Sequence, residues 1–131
     1  MEKALSLLIA DRNPHVRNYL QREFTEARYR VRTAENADTI LADVYGTDGS
    51  DLLIIDPDLP DTHGETLLAT LLDRLPKLSI IIHTLRSEEF PPMGQGRVFV
   101  VEKQGSSIER LKQIISELEG RIAGHHAASR R

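Results

Sequence analysis

The sequence predicts one α/β domain, a doubly wound parallel sheet of five strands with helices on both faces. Five short apolar runs alternate with segments whose apolar residues recur at helical spacing, which is the pattern of strand–helix–strand units. One run, Leu52–Ile55, is apolar throughout, as expected of a central strand that is covered on both faces. Hydrophobic residues make up 40% of the chain and aromatic residues only 5%, which favours an aliphatic core between layers.

The length and charge of the chain limit the classes of function. At 131 residues the chain fits one domain. A net charge of −3 gives no reason to expect direct binding to nucleic acid, and the lack of cysteine excludes disulfides and thiolate metal sites. No apolar run approaches the roughly 18 residues of a membrane span. We therefore expect a soluble, cytoplasmic protein that contacts neither nucleic acid nor a membrane directly.

The apolar runs predict the strands, and the spacing of apolar residues between them predicts the helices. We expect strands at 5–10, 29–34, 52–55, 78–82 and 98–101. The second strand is more polar than the others, so we expect it at an edge of the sheet. Asn13 followed by Pro14 is typical of a helix start, and further helices are predicted after the second, third and fifth strands.

The end of the chain differs in composition from the rest. Residues from Gly120 onward are rich in glycine, alanine, histidine and arginine. We therefore predict a domain at 1–120 and a flexible tail at 121–131. His125 and His126 are a weak metal-binding signal, and a solvated tail is the favoured interpretation.

Polar side chains follow four of the predicted strands at the point where each strand ends. They are two carboxylates, a hydroxyl and an ammonium group, on Asp11, Asp56, Thr84 and Lys103. Because the carboxyl ends of parallel strands meet at the same edge of a sheet, we expect these side chains to lie together. Any one of them could simply mark the end of a strand, but four on four strands favour a functional site.

This set of residues resembles the response-regulator receiver family. The segment LLIADRNPHVR is similar to the first-strand acidic motif of that family, and LLIIDPDLPDTHG is similar to its phosphoacceptor loop, including Pro60 and Gly64. IIIHT supplies the hydroxyl residue and VVEK the lysine. The resemblance covers roughly residues 5–119. It implies a CheY-like, flavodoxin-like sheet with strand order 2-1-3-4-5.

The resemblance also implies a chemistry, in which Asp56 accepts a phosphoryl group from a histidine kinase or phosphotransfer protein. Lys103 would contact the phosphoryl oxygens, and the Thr84 hydroxyl would turn toward them as the switch event. Mg²⁺ would be held by Asp11, Asp56 and the backbone carbonyl of Asp58, whose own side chain is expected to face solvent. The chain would be a phosphoacceptor in a phosphorelay rather than an enzyme, acting through a separate effector protein.

The metal site implied by the resemblance is incomplete in this sequence. The family carries two adjacent acids after the first strand, but Arg12 occupies the second position here. A guanidinium removes a metal ligand and adds a repulsive charge, so we expect Mg²⁺ binding to be weak or absent. Arg12 either turns inward to pair with Asp11 or Asp56, which we favour, or swings out to solvent. Leu85 is bulkier than the residue usual at its position and is expected to narrow access to the acid.

The segment 86–97 stands where a fourth crossover helix is expected. It holds two prolines and two glycines within six residues, so we predict at most a short turn over residues 87–90. Apolar residues at 80–82 and 98–101 would then be partly exposed and would form a docking edge for a second chain, such as another copy. Val100 stands where the family often has an aromatic residue, and Phe99 should face the opposite side of the sheet.

Two functions from different classes stay open. The first is a working receiver that is phosphorylated on Asp56. The second is a phosphorylation-independent pseudo-receiver that binds other proteins, with Arg12 replacing a metal-ligating acid. A phosphatase of the haloacid dehalogenase type and a flavin site are disfavoured, because the late acidic motif and the Ser/Thr-rich phosphate loop that they need are missing. His15, His63 and His83 are interpreted as structural or solvated.

Overall fold

The computed structural model describes residues 5–60, 65–90 and 96–129, and within them five strands form one parallel sheet. The strands are β1 Ser6–Ala10, β2 Arg30–Ala34, β3 Leu52–Ile55, β4 Ser79–Thr84 and β5 Val98–Glu102. Their order is β2-β1-β3-β4-β5, and every neighbouring pair is parallel. The predicted fold class and strand order are therefore confirmed, and the polar β2 lies at an edge as expected.

Four helices and a short 3₁₀ turn connect the strands over the described ranges. The helices are α1 Pro14–Glu26, α2 Ala37–Val44, α3 Glu65–Arg74 and α4 Ser107–Ser129. Asn13 caps α1 by accepting a hydrogen bond from the His15 amide at 2.9 Å, and Pro14 occupies the first turn. Helix α4 continues past the predicted domain boundary at residue 120, and the flexibility of 121–131 stays a prediction. No described helix is both long and apolar enough to cross a membrane.

The sheet separates two apolar clusters, and successive residues of a strand alternate between them. In β3, Leu53 and Ile55 join the cluster with α2 and α3, whereas Leu52 and Ile54 join the cluster with α1 and α4. Burial on both faces explains why this strand is apolar throughout. The carboxyl end of β3 consequently lies at the centre of one edge of the sheet, between β1 and β4.

The connection between β4 and β5 contains a 3₁₀ turn, Ser87–Glu89, where the fourth crossover helix would be. The predicted short turn is thus confirmed. Residues 91–95, which include Pro91, Pro92 and Gly94, lie outside the described residues, as does Gly64 of the loop after β3.

The predicted exposure of β4 is wrong. Ile80, Ile81 and Ile82 have 0% exposed surface, because β4 is an interior strand and both apolar clusters cover it. The partial exposure falls instead on the edge strand β5, where Val98 and Val100 are half-buried. Phe99 joins the opposite cluster from Val100, as strand alternation predicts. Docking of a second chain at this edge stays a prediction.

Arg97 ties the start of β5 to the end of α3. Its Nε donates to the Leu78 carbonyl at 3.2 Å, and its other nitrogens donate to the carbonyls of Leu72 and Leu75. Carbonyls at the C-terminus of a helix lack partners within the helix and favour a nearby positive charge. One side chain therefore fastens α3 to the edge strand, next to the segment where a crossover helix is replaced by a turn.

We expect Arg97→Ala to lower the free energy of unfolding by about 2 kcal/mol, because three carbonyls lose a charged donor. Urea denaturation followed by circular dichroism measures the change. Arg110→Ala is the matched control, since this exposed arginine contacts the Gln113 side chain, and it should cost less than about 0.5 kcal/mol. Equal losses in the two variants would contradict the role given to Arg97.

Candidate functional site

The four predicted site residues meet at the carboxyl edge of the sheet. Asp11 directly follows β1, Asp56 directly follows β3, Thr84 ends β4 and Lys103 directly follows β5. The Asp56 amide donates to the Ala10 carbonyl at 2.8 Å, and the Lys103 amide donates to the Thr84 carbonyl at the same distance. The backbone hydrogen bonds between the strands thus continue into the site and set the spacing of these side chains.

The two carboxylates are buried and oriented by the backbone. Asp11 and Asp56 are each 2% exposed. In both, Oδ1 accepts a hydrogen bond at 2.9 Å from the amide two residues later, that of Asn13 or Asp58. This turn is one that aspartate favours in loops, and it fixes the rotation of each carboxylate. The Oδ2 atoms are left for the neighbouring cations.

Lys103 and Arg12 supply those cations. The Lys103 Nζ lies 2.9 Å from Oδ2 of Asp11 and 3.3 Å from Oδ2 of Asp56. The Arg12 Nε lies 3.4 Å from the same Asp56 oxygen, and one terminal nitrogen lies 3.8 Å from Oδ2 of Asp58. Oδ2 of Asp56 accepts no hydrogen bond from any described residue. It is therefore a buried oxygen held by charge alone.

The orientation of Arg12 agrees with the inward pairing that we favoured, and its partner is Asp56 rather than Asp11. The Arg12 side chain nevertheless remains 55% exposed, so it covers the acid from the solvent side. The Asp58 side chain, which we expected to face solvent, is partly exposed. It is 33% exposed and lies between Arg12 and Arg86, because the turn after β3 directs it back toward two arginines.

Arg86 is a site residue that the sequence analysis missed. Its guanidinium donates to the carboxylates of Asp58 and Glu89, and its backbone amide donates to Oγ1 of Thr84 at 3.0 Å. The buried Thr84 hydroxyl is therefore held by the loop that follows β4. The only signal in the sequence is an arginine two positions beyond the hydroxyl residue, which is too common a pattern to single out.

His83 is buried on the other side of β4, which fits its interpretation as a structural residue. Its Nε2 lies 3.1 Å from Oγ of Ser107, and its Nδ1 finds no partner among the residues that the structure describes. Burial, followed by the positive charge of Lys103, lowers the pKa of His83 from 6.5 to about 4. His15 is exposed at the start of α1, and His63 lies outside the described residues.

A cleft of about 470 Å³ runs from this site along α1 and the loop before α4. Arg12 and Lys103 line one end of it, and Tyr19, Leu85 and Ile108 line its apolar part. Leu85 is 67% exposed and stands on the wall of the cleft. The cleft therefore gives an approach to the cations that face Asp56.

The arrangement of side chains does not fit a divalent cation. Among the described residues, no group of three or more His, Asp or Glu side chains is placed to hold a metal ion. Asp11 and Asp56 lie side by side as the predicted ligand set requires. However, their Oδ2 atoms, which accept no backbone hydrogen bond from the described residues, are contacted by Lys103 and Arg12. Magnesium needs those oxygens in near-octahedral geometry.

Comparison with known proteins identifies similar folds. The family model of the response regulator receiver domain matches residues 7–93. The response regulator protein TrrA from Thermotoga maritima, in complex with Mg(2+)-BeF, is 24% identical, with 87% of this chain and 98% of that chain covered and a TM-score of 0.73. TrrA in complex with the histidine kinase ThkA is 25% identical, with coverages of 87% and 97% and the same TM-score.

A receiver domain (CheY-like) from Methylobacillus flagellatus is 20% identical, with 85% of this chain and 98% of that chain covered and a TM-score of 0.67. No curated protein matches the chain in sequence.

We expect stability to depend on pH through His83. Its pKa in the folded state, about 4, lies below the ordinary 6.5, so the unfolded chain takes up the proton first. The contribution of neutral His83 is complete above pH 6.5 and is lost as pH falls toward 4, by about 2 kcal/mol between pH 7 and 5. Urea denaturation at several pH values measures this loss, and NMR of the imidazole measures the pKa directly.

His83→Leu should remove most of that pH dependence, whereas the control His15→Gln, at an exposed site, should leave it unchanged. An imidazole of His83 that titrates near pH 6.5 would show that the buried neutral form is not the stable one.

Proposed function

Because the chain belongs to the response regulator receiver domain family, we propose that Asp56 accepts a phosphoryl group from a phosphohistidine. The observation that carries this proposal is the state of Oδ2 of Asp56. That oxygen is buried, accepts no hydrogen bond from the described residues, and is approached by Lys103 at 3.3 Å and Arg12 at 3.4 Å. A carboxylate oxygen free of hydrogen bonds and flanked by cations is suited to attack phosphorus.

The two oxygens of Asp56 have separate tasks in this proposal. Oδ1 is held by the Asp58 amide, which keeps the carboxylate from rotating. Oδ2 forms the new bond to phosphorus while the bond between phosphorus and the donor nitrogen breaks. Lys103 and Arg12 then face the three oxygens of the phosphoryl group, and charge-assisted hydrogen bonds to such oxygens are short and strong.

Thr84 is the residue through which the phosphoryl group would change the structure. Its hydroxyl now accepts a hydrogen bond from the Arg86 amide. Turning toward a phosphoryl oxygen would break that contact and release the loop that follows β4. A local exchange of hydrogen bonds would then be transmitted to the 3₁₀ turn at Ser87–Glu89.

The partners proposed for this chain are a histidine kinase or phosphotransfer protein and a separate effector protein. The complex of TrrA with the histidine kinase ThkA supports the first, since TrrA is 25% identical to this chain. A second copy of the chain is a further proposed partner. It would bind at the edge strand β5, where Val98 and Val100 are only half-buried. The chemistry of the chain itself is that of an acceptor rather than of a turnover enzyme.

One observation favours a second function. Arg12 already neutralises Asp56, so the unmodified pocket holds a positive charge where a metal ion would otherwise neutralise it. In a pseudo-receiver that binds its partner without phosphorylation, this ion pair would hold the pocket in one conformation permanently. The absence of any label on Asp56 in the experiment below would favour this function.

We expect incubation with acetyl phosphate to label Asp56, since its Oδ2 lacks a hydrogen bond, whereas Oδ2 of Asp11 is engaged by Lys103 at 2.9 Å. Borohydride trapping followed by peptide mass mapping locates the acyl phosphate. Asp56→Asn should lose the label and Asp58→Asn should keep it. A label on Asp11 or Asp58 would contradict the proposal.

We expect Mg²⁺ to bind weakly, with Arg12→Asp increasing its affinity by at least about tenfold, because the substitution supplies a carboxylate and removes a repulsive charge. Backbone NMR shifts near residues 11 and 56, followed during a Mg²⁺ titration, measure both affinities. Arg22→Asp, a charge reversal on the exposed face of α1, is the matched control. Saturation of the native chain at sub-millimolar Mg²⁺ would refute the expectation.

A further inference from the structure

We propose that Asp56 accepts a phosphoryl group without a divalent cation, because Arg12 supplies the positive charge that a metal ion would supply. The inference rests on the proposed function of Asp56 and identifies the electrostatic partner of that reaction. It differs from what the family resemblance implies, since an acid that binds Mg²⁺ is expected at the position of Arg12.

The charges around Asp56 already balance. Two carboxylates, Asp11 and Asp56, face two cations, Lys103 and Arg12, while Arg86 is shared between Asp58 and Glu89. A divalent ion added to this set would leave an excess of positive charge next to two cations. Phosphorylation instead replaces the single charge of the Asp56 carboxylate with the nearly two charges of an acyl phosphate, so it adds about one negative charge, which the cations in place can meet. The pocket is therefore charged to receive an anion.

The position of Arg12 suits this task. Its Nε faces Oδ2 of Asp56 at 3.4 Å, and its contact with Asp58, at 3.8 Å, is too long for a hydrogen bond. The side chain is 55% exposed, so the guanidinium has room to follow the transferred group outward. A planar guanidinium with five donors matches two phosphoryl oxygens at once, which an ammonium group does not.

Asp11 takes a different role in this arrangement. Its Oδ2 holds Lys103 at 2.9 Å, and its Oδ1 is engaged by the Asn13 amide. Asp11 therefore anchors the second cation beside Asp56 instead of ligating a metal. Two cations within 3.4 Å of one oxygen, Lys103 and the more exposed Arg12, resemble the charges that stabilise phosphoryl transfer elsewhere.

The step balances without a metal or an added proton. With acetyl phosphate as donor, Oδ2 of Asp56 supplies the electron pair for the new O–P bond. The bond between phosphorus and the acetyl oxygen breaks, and its electron pair leaves with acetate. Asp56 ends as an acyl phosphate whose oxygens are met by Arg12 and Lys103.

The experiment follows phosphorylation of the full 131-residue chain by intact mass, with the site confirmed by borohydride trapping. Each protein is incubated with acetyl phosphate in buffer stripped of divalent ions and in the same buffer with excess Mg²⁺. The variants are Arg12→Ala, Arg12→Asp and, as a matched control, Arg110→Ala, which removes an exposed arginine of α4 that lies away from the pocket. Circular dichroism verifies that each variant is folded.

We expect the native chain and Arg110→Ala to be labelled at similar rates in both buffers, within about twofold. Arg12→Ala should be slower by about 100-fold in the stripped buffer, the usual effect of removing one charge-stabilising donor. Arg12→Asp should be labelled only when Mg²⁺ is present, since it replaces the guanidinium with a metal ligand.

Three results would overturn the inference. Labelling of the native chain that requires Mg²⁺ would reject it and leave the proposed function of Asp56 intact. Labelling of Arg12→Ala in stripped buffer at or above the native rate would show that Arg12 blocks the reaction. No label on the native chain in either buffer would reject the proposed function, and the inference with it.

Discussion

Two buried carboxylates lie side by side at the centre of the sheet edge, and the need to neutralise them governs the rest of the site. Asp11 and Asp56 are each 2% exposed, and charges removed from water are costly unless they are paired. Lys103 provides a positive charge to both acids by contacting their Oδ2 atoms. Arg12 adds a second cation from the solvent side and contacts the same oxygen of Asp56.

The sheet topology explains why these acids are buried at all. β1 and β3 are neighbouring interior strands, and their paired residues keep Asp11 next to Asp56. The two backbone turns after these strands satisfy one oxygen of each carboxylate, so only the second oxygen needs a cation. Side chains that follow β1 and β5 supply the cations that contact the second oxygen.

The strand-end residues could be predicted because they depend on a local pattern. An apolar run followed by a polar residue predicts both a strand and a side chain at its carboxyl edge, and this holds for Asp56 and Lys103. The missing crossover helix follows in the same way from prolines and glycines in the segment 86–97. The order of the elements and the identity of the residues at the edge of the site could therefore be predicted from the sequence.

The contacts of long charged side chains could not be predicted from spacing. Arg86 reaches Asp58 across 28 positions of sequence, and Arg97 reaches Leu72 across 25. Such side chains have many rotamers, and their choice of partner depends on tertiary distances that periodicity does not encode. The full burial of Ile80 has the same origin, because it depends on which elements cover β4 and not on the strand itself.

These long-range contacts give the loop after β4 two ties to the acidic pocket, and both belong to Arg86. Its amide holds the hydroxyl of Thr84, and its guanidinium holds Asp58, which also lies 3.8 Å from Arg12. If Asp56 is phosphorylated as proposed, the added anion would draw Arg12 away from Asp58 and offer the Thr84 hydroxyl a new acceptor. The first tie would then break while the second strengthens, since Asp58 would be left to Arg86 alone. In the described part of this loop a 3₁₀ turn stands where a helix would be, so such a change would not have to unfold a helix there. Under the proposed phosphorylation, the 3₁₀ turn and the two ties of Arg86 would together make the loop after β4 respond to the charge state of Asp56.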